Sequence, residues 1–142
     1  MINVRDLRIG NWVYDGERTQ FPMWVQAVGE DYVYLNFEGN EGDVWESTPE
    51  DLHGVPVTAE LLKKSGFEEL KGVCPQTFYR YWDKDYKYKL DVDPEYCNSD
   101  SKWSMHVDNG DCSTIGSGEF TYVHELQNLV SAITKEELKI KL

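Results

Sequence analysis

The residues best suited to chemistry lie near the C-terminus, where one histidine and two side-chain amides occur within five residues: His124, Gln127 and Asn128. On a helix His124 and Asn128 share a face, because they are four residues apart, and Gln127 lies next to that face. Such a patch could bind a polar ligand. A single histidine without a partner motif is weak support for catalysis, so we treat the three as candidate binding residues only.

No spacing in the sequence matches a metal-binding or nucleophile motif. The other histidines and the cysteines are scattered along the chain: His53, His106, Cys74, Cys97 and Cys112. Three cysteines without a CxxC pair are typical of reduced thiols in a cytoplasmic protein. We therefore predict no metal ligands, no catalytic residues and no bound cofactor.

Two further segments resemble ion-binding sequences only in part. The DVDPE segment, residues 91–95, has carboxylates at alternate positions, but the glycine and distal glutamate of an EF-hand are missing. The Gly116–Gly118 segment lacks the final Gly-Lys-Ser/Thr of a phosphate-binding loop. We interpret the first as a polar loop and the second as the approach to the last helix.

Six Trp and Tyr residues lie in the first third of the chain. The set comprises Trp12, Tyr14, Trp24, Tyr32, Tyr34 and Trp45. A small sheet cannot bury all of them, and exposed rings beside acidic residues would form a groove for a basic or proline-rich peptide. Core packing explains the same residues equally well at this stage. Trp12, Tyr14, Trp24, Tyr34 and Trp45 are our candidate binding residues.

The charge is strongly negative and unevenly distributed. The net charge is −12; residues 1–57 hold eleven Asp and Glu against three Arg, and residues 58–142 hold fifteen against eleven Lys and Arg. Such a surface repels phosphate backbones and attracts a protein with a basic surface, so direct nucleic-acid binding is disfavoured. No apolar run is long enough to cross a bilayer, and we predict a cytoplasmic protein without membrane contact. The oligomeric state is not determined by the sequence.

The N-terminal region has the pattern of a small β module. Short runs of aromatic and β-branched residues are separated by Gly turns: Trp12–Tyr14, Met23–Val28, Tyr32–Phe37, Val44–Glu46 and Leu52–Val57. In the third run Val33 and Leu35 should face one way and Tyr34 the other. Several short strands in so little chain predict a bent antiparallel sheet, and we expect an SH3-like module over residues 1–57.

The remaining residues, 58–142, predict an α+β region that forms one compact unit with the module. A helix at about 58–65 begins after a Thr58 cap, and strands follow at about 78–115. Alternation predicts two faces that point inward, one with Tyr86, Tyr88, Leu90 and Val92 and one with Trp103, Met105 and Val107. An apolar stripe predicts a helix at about 121–133; it comprises Tyr122, Val123, Leu126, Leu129, Val130 and Ile133. Alternation of Leu and Ile with Lys then predicts a strand at 137–142 on a sheet edge. The fold class is therefore α+β.

Three segments are distributed from one end of the chain to the other: LRIGNWVY at Leu7–Tyr14, VPVTAELLKKSGFEE at Val55–Glu69 and YVHELQNLVSAITKEEL at Tyr122–Leu138. They resemble the blocks of a family of small uncharacterised proteins of anaerobic gut bacteria and their phages and mobile elements. The resemblance implies a phage-related setting and carries over no catalytic residue. Where Lys135 stands the family pattern has Gly, so strain is expected if this residue is left-handed.

Three classes of function follow from these observations. The leading hypothesis is a non-enzymatic protein that binds a basic partner through its acidic, aromatic N-terminal half. A second is a DNA-mimicking inhibitor of a nucleic-acid enzyme, which requires carboxylates in rows along one face. The third is a hydrolase or metal-dependent enzyme, which requires a concave pocket where His or Cys meets carboxylates.

Overall fold

The computed structural model describes residues 2–16, 21–40, 42–72, 77–94, 102–109 and 114–142. Two antiparallel sheets and two α-helices occur in this part of the chain, which confirms the α+β class. The chain divides into two compact units. Unit 1 consists of Met1–Pro56 with Tyr122–Asn128, and unit 2 consists of Val57–Thr121 with Leu129–Leu142.

Unit 1 is built on one five-stranded sheet. Its strands are β1 (Trp12–Asp15), β2 (Pro22–Val28), β3 (Val33–Asn36), β4 (Trp45–Ser47) and β5 (Leu52–Gly54), with 3-10 turns at Val4–Asp6 and Pro49–Asp51. The order across the sheet is β4-β3-β2-β1-β5, so the first four strands form a meander and β5 returns to pair with β1. All of these pairings are antiparallel.

Alternation of side chains places the core of unit 1 on one face of the sheet. The buried cluster comprises Ile2, Leu7, Val13, Met23, Val25, Val33, Leu35 and Leu52. Val33 and Leu35 are buried while Tyr34 is only half-buried, as the alternation of this strand predicts. The opposite face carries the aromatic side chains of β1, β2 and β3, which are partly exposed.

The sheet of unit 1 is bent, but β4 and β5 are its two edges and no barrel is closed in the described residues. The Trp45 indole N–H donates to Asp15 Oδ2 at 2.5 Å, although β3 and β2 lie between their strands. A flat sheet would hold these residues too far apart, since neighbouring strands are about 4.8 Å apart. The curvature therefore brings the fourth strand towards the end of the first.

Unit 2 contains a second five-stranded sheet. Its strands are β6 (Glu68–Lys71), β7 (Thr77–Trp82), β8 (Tyr88–Pro94), β9 (Trp103–Asn109) and β10 (Thr114–Phe120), in the order β10-β9-β8-β7-β6. Trp103, Met105 and Val107 are buried, which confirms the predicted inward face of β9. Tyr86 was expected on the inward face of β8 but lies exposed in the preceding turn, with φ of 54°.

Two helices complete the fold. Helix α1 (Ala59–Lys64) begins where expected, and the Thr58 hydroxyl accepts a hydrogen bond from the Leu61 N–H at 3.1 Å. Helix α2 (Val123–Thr134) buries Val123, Leu126 and Val130 of the predicted apolar stripe. Leu129 and Ile133 are half-buried, and Tyr122, which precedes the helix, is exposed. Its first six residues belong to unit 1 and its last six to unit 2.

Two expectations for the C-terminal region are wrong. No strand forms at residues 137–142: Leu138 is buried in unit 2, and the Lys141 N–H donates to the Ser65 hydroxyl instead of a sheet edge. The Gly116–Gly118 segment is part of β10 and pairs with β9 rather than forming a loop before α2. In both places tertiary contacts supply the backbone with partners that the local pattern does not indicate.

Candidate functional site

A pocket on unit 1 contains a concentration of carboxylates and aromatic rings. Its volume is about 160 Å³, and its lining consists of Asp15, Tyr32, Trp45, Glu46, Ser47, Thr48 and Asp51. We call it the acidic pocket. All seven residues belong to unit 1, and they come from β1, the loop before β3, β4 and the 3-10 turn that follows.

The buried part of the pocket is formed by Asp15 and Trp45. Asp15 is the last residue of β1, and its position opposite Leu52 puts its carboxylate on the core face, where it is only 5% exposed. Trp45 lies opposite Leu35 and packs against the same core. The indole N–H of Trp45 donates to Asp15 Oδ2 at 2.5 Å, so the ring orients the carboxylate.

The outer part of the pocket is accessible to solvent. Tyr32 is 48% exposed, and Glu46 and Asp51 are also exposed. Pro49 begins the 3-10 turn that carries Asp51, and the Thr48 hydroxyl donates to Asp51 Oδ2 at 3.0 Å. The turn thereby holds Asp51 at the rim.

The lining is suited to a positively charged group. Of the seven described residues that line it, three are carboxylates, two are aromatic, and none is Lys, Arg, His or Cys. Carboxylates and aromatic faces both attract cations. The described lining residues include no histidine or cysteine, so they do not support the hydrolase hypothesis.

The aromatic candidates divide between two surfaces of unit 1. Only Trp45 lines the acidic pocket. Trp12 and Trp24 lie opposite each other on the other face and pack edge to face at 5.5 Å between ring centroids. Tyr14 and Tyr34 share that face and are half-buried.

Sequence reasoning did not single out Asp15 or Asp51 as site residues. The run of acidic residues from Glu38 to Asp51 could have indicated the rim of the pocket. Nothing in the sequence indicated a role for Asp15, because an aspartate before Gly16 is typical of a turn.

Gln127 and Asn128 bind the protein itself. The Gln127 side chain donates to the Gly10 carbonyl and accepts from the Trp12 N–H, both at 3.0 Å. The Asn128 side chain donates to the Asp6 carbonyl at 2.6 Å and accepts from Asn11 Nδ2 at 3.0 Å. We call these contacts the amide clamp. It joins the middle of α2 to the 3-10 turn and the residues between that turn and β1.

His124 belongs to unit 1 and is buried. It is 4% exposed, and its ring stacks on that of Tyr122 with centroids 6.0 Å apart. Its Nδ1 is buried without a hydrogen-bond partner. Burial lowers the pKa of His124 from 6.5 to about 4, although the charge of Asp6 acts in the opposite direction. A neutral, enclosed imidazole of this kind is a packing residue.

The ion-binding candidates are not assembled by the described residues. The single group with three possible metal ligands in this part of the chain is Asp83, Asp85 and Glu136, which contains no histidine. The interpretation of the DVDPE segment as a polar loop is wrong for its first four residues, since Asp91–Pro94 belong to β8 and pair with β9. Asp91 forms a bidentate pair with Arg80, at 2.7 and 3.1 Å. All three cysteines, and Glu95, lie outside the described residues.

Comparison of the chain with protein-family models, curated proteins and solved structures gives no match. In the part of the chain that the structure describes, neither helix has the length and apolar composition that crossing a membrane requires. The function must therefore be argued from the geometry of unit 1.

Proposed function

We propose that unit 1 is a non-enzymatic protein-interaction module that binds a basic segment of a partner protein. The observation that carries the proposal is the acidic pocket, where three carboxylates and two aromatic rings face a space of about 160 Å³ and no Lys or Arg lies among the described lining residues. Cofactor-sized ligands occupy pockets of roughly 300–1,000 Å³. The acidic pocket is smaller, and is suited to a side chain of a larger partner.

The charge of unit 1 supports the same proposal. Unit 1 contains twelve Asp and Glu against three Arg, a net charge of −9, while unit 2 has fourteen acids against eleven bases, a net charge of −3. The acidic excess is thus concentrated in the unit that holds the pocket. Such a field accelerates encounter with a basic partner and repels nucleic acid.

We also propose an SH3-like architecture for unit 1 and a phage-related, cytoplasmic setting. The architecture is supported by the return of β5 to β1 after a 3-10 turn and by the bond between Trp45 and Asp15 across two intervening strands. The setting rests on the resemblance of the three sequence blocks, of which the first lies in unit 1.

Selection from a displayed library of random short peptides tests the proposed function. We expect the selected peptides to be rich in Lys or Arg, and their affinity to fall at least about tenfold between about 50 mM and about 500 mM NaCl, because salt screens exposed charges. Enrichment of neutral peptides, or affinity independent of salt, would contradict the proposal.

A pair of matched variants locates the binding surface. Asp51→Asn and Glu30→Gln each remove one negative charge from an exposed side chain of unit 1, but only Asp51 lines the pocket. We expect the first to weaken peptide binding several-fold and the second to have little effect. Equal losses would place the interaction elsewhere on the acidic surface.

A further inference from the structure

We infer that unit 2 binds a small, uncharged, largely apolar molecule in a pocket between β10 and the end of α2. The pocket has a volume of about 250 Å³, and its described lining comes from β9, β10 and the last turns of α2. We call it the apolar pocket. All eight of its described lining residues belong to unit 2, so the site is independent of the function proposed for unit 1.

Two glycines of β10 leave the space that the apolar pocket occupies. Gly116 pairs with Val107 and Gly118 with Met105, and in each pair the two residues lie on the same face of the sheet. Met105 and Val107 are buried on that face. Because their partners contribute no side chain beside them, a hollow remains between β10 and α2.

Neither glycine is required by the local backbone or by close packing. Neither has the positive φ that favours glycine over other residues. A Cβ on Gly116 would have no atom of the described residues within 4 Å, and one on Gly118 would lie 3.7 Å from Leu129, an ordinary contact. Glycine inside a strand weakens the sheet and often marks a place where a ligand approaches the backbone. The two glycines therefore indicate a ligand separately from the shape of the pocket.

The other walls close the apolar pocket on its inner side and leave it accessible from solvent. Met105 and Val107 are 1% and 4% exposed. Leu129 and Ile133 lie one turn apart on α2 and are half-buried. Ile115, where the pairing of β10 with β9 shifts, is 53% exposed. A molecule that enters beside Ile115 thus reaches a buried apolar surface.

The charge and size of the apolar pocket determine the class of ligand. No described lining residue carries a charge, and a charged group without a partner is costly to remove from water, so the ligand should be neutral. The volume of about 250 Å³ lies between the roughly 150 Å³ of a cavity that holds benzene and the roughly 300 Å³ at which pockets for drug-sized ligands begin. This size suits a short hydrocarbon chain or one or two rings.

Titration with matched six-carbon ligands tests the inference on the unsubstituted protein. Hexanol, hexanoate and hexylammonium share one chain and differ in charge, and the methyl resonances of Met105, Leu129 and Ile133 report on occupation of the pocket. We expect hexanol to shift these resonances saturably and to bind at least about tenfold more tightly than either ion. The net charge of −12 would by itself favour hexylammonium, so weaker binding of both ions would identify the uncharged lining as the cause.

A pair of variants on β10 tests the role of the glycines. Gly116→Leu places a side chain in the space beside Val107, whereas Glu119→Leu adds the same side chain at an exposed position outside the described lining. We expect the first to weaken hexanol binding at least about tenfold and the second to leave it unchanged. Ile133→Ala keeps the glycines and enlarges the pocket, so octanol should gain affinity several-fold relative to hexanol, even if Gly116→Leu fails to fold.

Four results would overturn the inference. One is the absence of shifts at these methyl groups when hexanol is close to its solubility limit. Another is equally tight binding of hexanoate or hexylammonium, which would contradict a neutral ligand. Unchanged hexanol affinity in a folded Gly116→Leu variant would place the ligand elsewhere on the protein. Finally, shifts of the same resonances with protein concentration alone would identify a second copy of the chain as the occupant.

Discussion

Lys135 is held in a left-handed conformation at the end of α2. Its φ is 61°, and its N–H still donates to the Ser131 carbonyl at 2.9 Å. A residue with a Cβ is strained there, whereas Gly is not. The family pattern that the third block resembles has Gly at this position, and the geometry explains why Gly suits it.

Lys135→Gly should therefore stabilise the protein. We expect the free energy of unfolding to rise by about 0.5–1 kcal/mol, because relief of strain exceeds the added freedom of the unfolded chain. Urea denaturation measures the change. Lys135→Ala removes the same charge but keeps a Cβ, so its free energy of unfolding should not rise. An equal rise in both variants would show that loss of the charge, and not relief of strain, is the cause.

The buried imidazole of His124 should make unit 1 sensitive to mild acid. The pKa of His124 is lowered to about 4 by burial, against 6.5 for an ordinary histidine. Between these values the unfolded chain binds a proton that the folded chain excludes, so stability falls as pH falls. From about pH 7 to about pH 5.5 we expect a loss of about 1 kcal/mol from this residue.

Variants with phenylalanine separate this contribution from that of other groups. His124→Phe keeps a ring beside Tyr122 but cannot titrate, so its stability should change less over this pH range than that of the unsubstituted protein. His53→Phe is the control in the same unit, because His53 is exposed. A pH dependence that survives in His124→Phe would show that another group is responsible.

Among the elements of unit 1, the middle of α2 and the residues that precede β1 depend on each other through the amide clamp. Gln127 is 3% exposed and joins Gly10 to Trp12 by two hydrogen bonds of 3.0 Å. Residues Leu7–Tyr14 and Tyr122–Leu138 are the first and third blocks of the family resemblance. The clamp therefore gives the amides of Gln127 and Asn128 a structural role within unit 1.

Gln127→Ala should strongly weaken the amide clamp. Loss of the amide leaves the Gly10 carbonyl and the Trp12 N–H without these partners, which costs about 2–3 kcal/mol. Hydrogen exchange measures the consequence directly, since the Trp12 N–H should lose protection. Gln26→Ala removes an exposed bond to Asn36 and should cost less than about 0.5 kcal/mol. Unchanged protection of Trp12 in Gln127→Ala would contradict the clamp.

At the scale of the whole molecule, the two units differ in net charge. Unit 1 carries a net charge of −9 and unit 2 a net charge of −3. In unit 2 acids are paired within the sheet, as in the contacts of Asp91 with Arg80 and Asp108 with Lys89. Its lysines thus offset its acids, whereas unit 1 has only three arginines to do so.

The sequence alone predicted the features that depend on the local spacing of apolar residues or on one helix-capping residue. Alternation located the buried faces of β3 and β9, a 3.6-residue stripe located α2, and Thr58 marked the start of α1. The acidic excess of the N-terminal region was also visible directly. These features are predictable because each depends on residues a few positions apart.

The tertiary structure alone decided which residues form the candidate site. The acidic pocket depends on a bond between Trp45 and Asp15, and the clamp on bonds between Gln127 and the residues around Asn11. Residues 137–142 alternate as a strand would, yet they form no strand, and Leu138 is buried in unit 2 instead. Partners distant in sequence are set by the curvature of a sheet and the docking of a helix, and local periodicity contains no information about either.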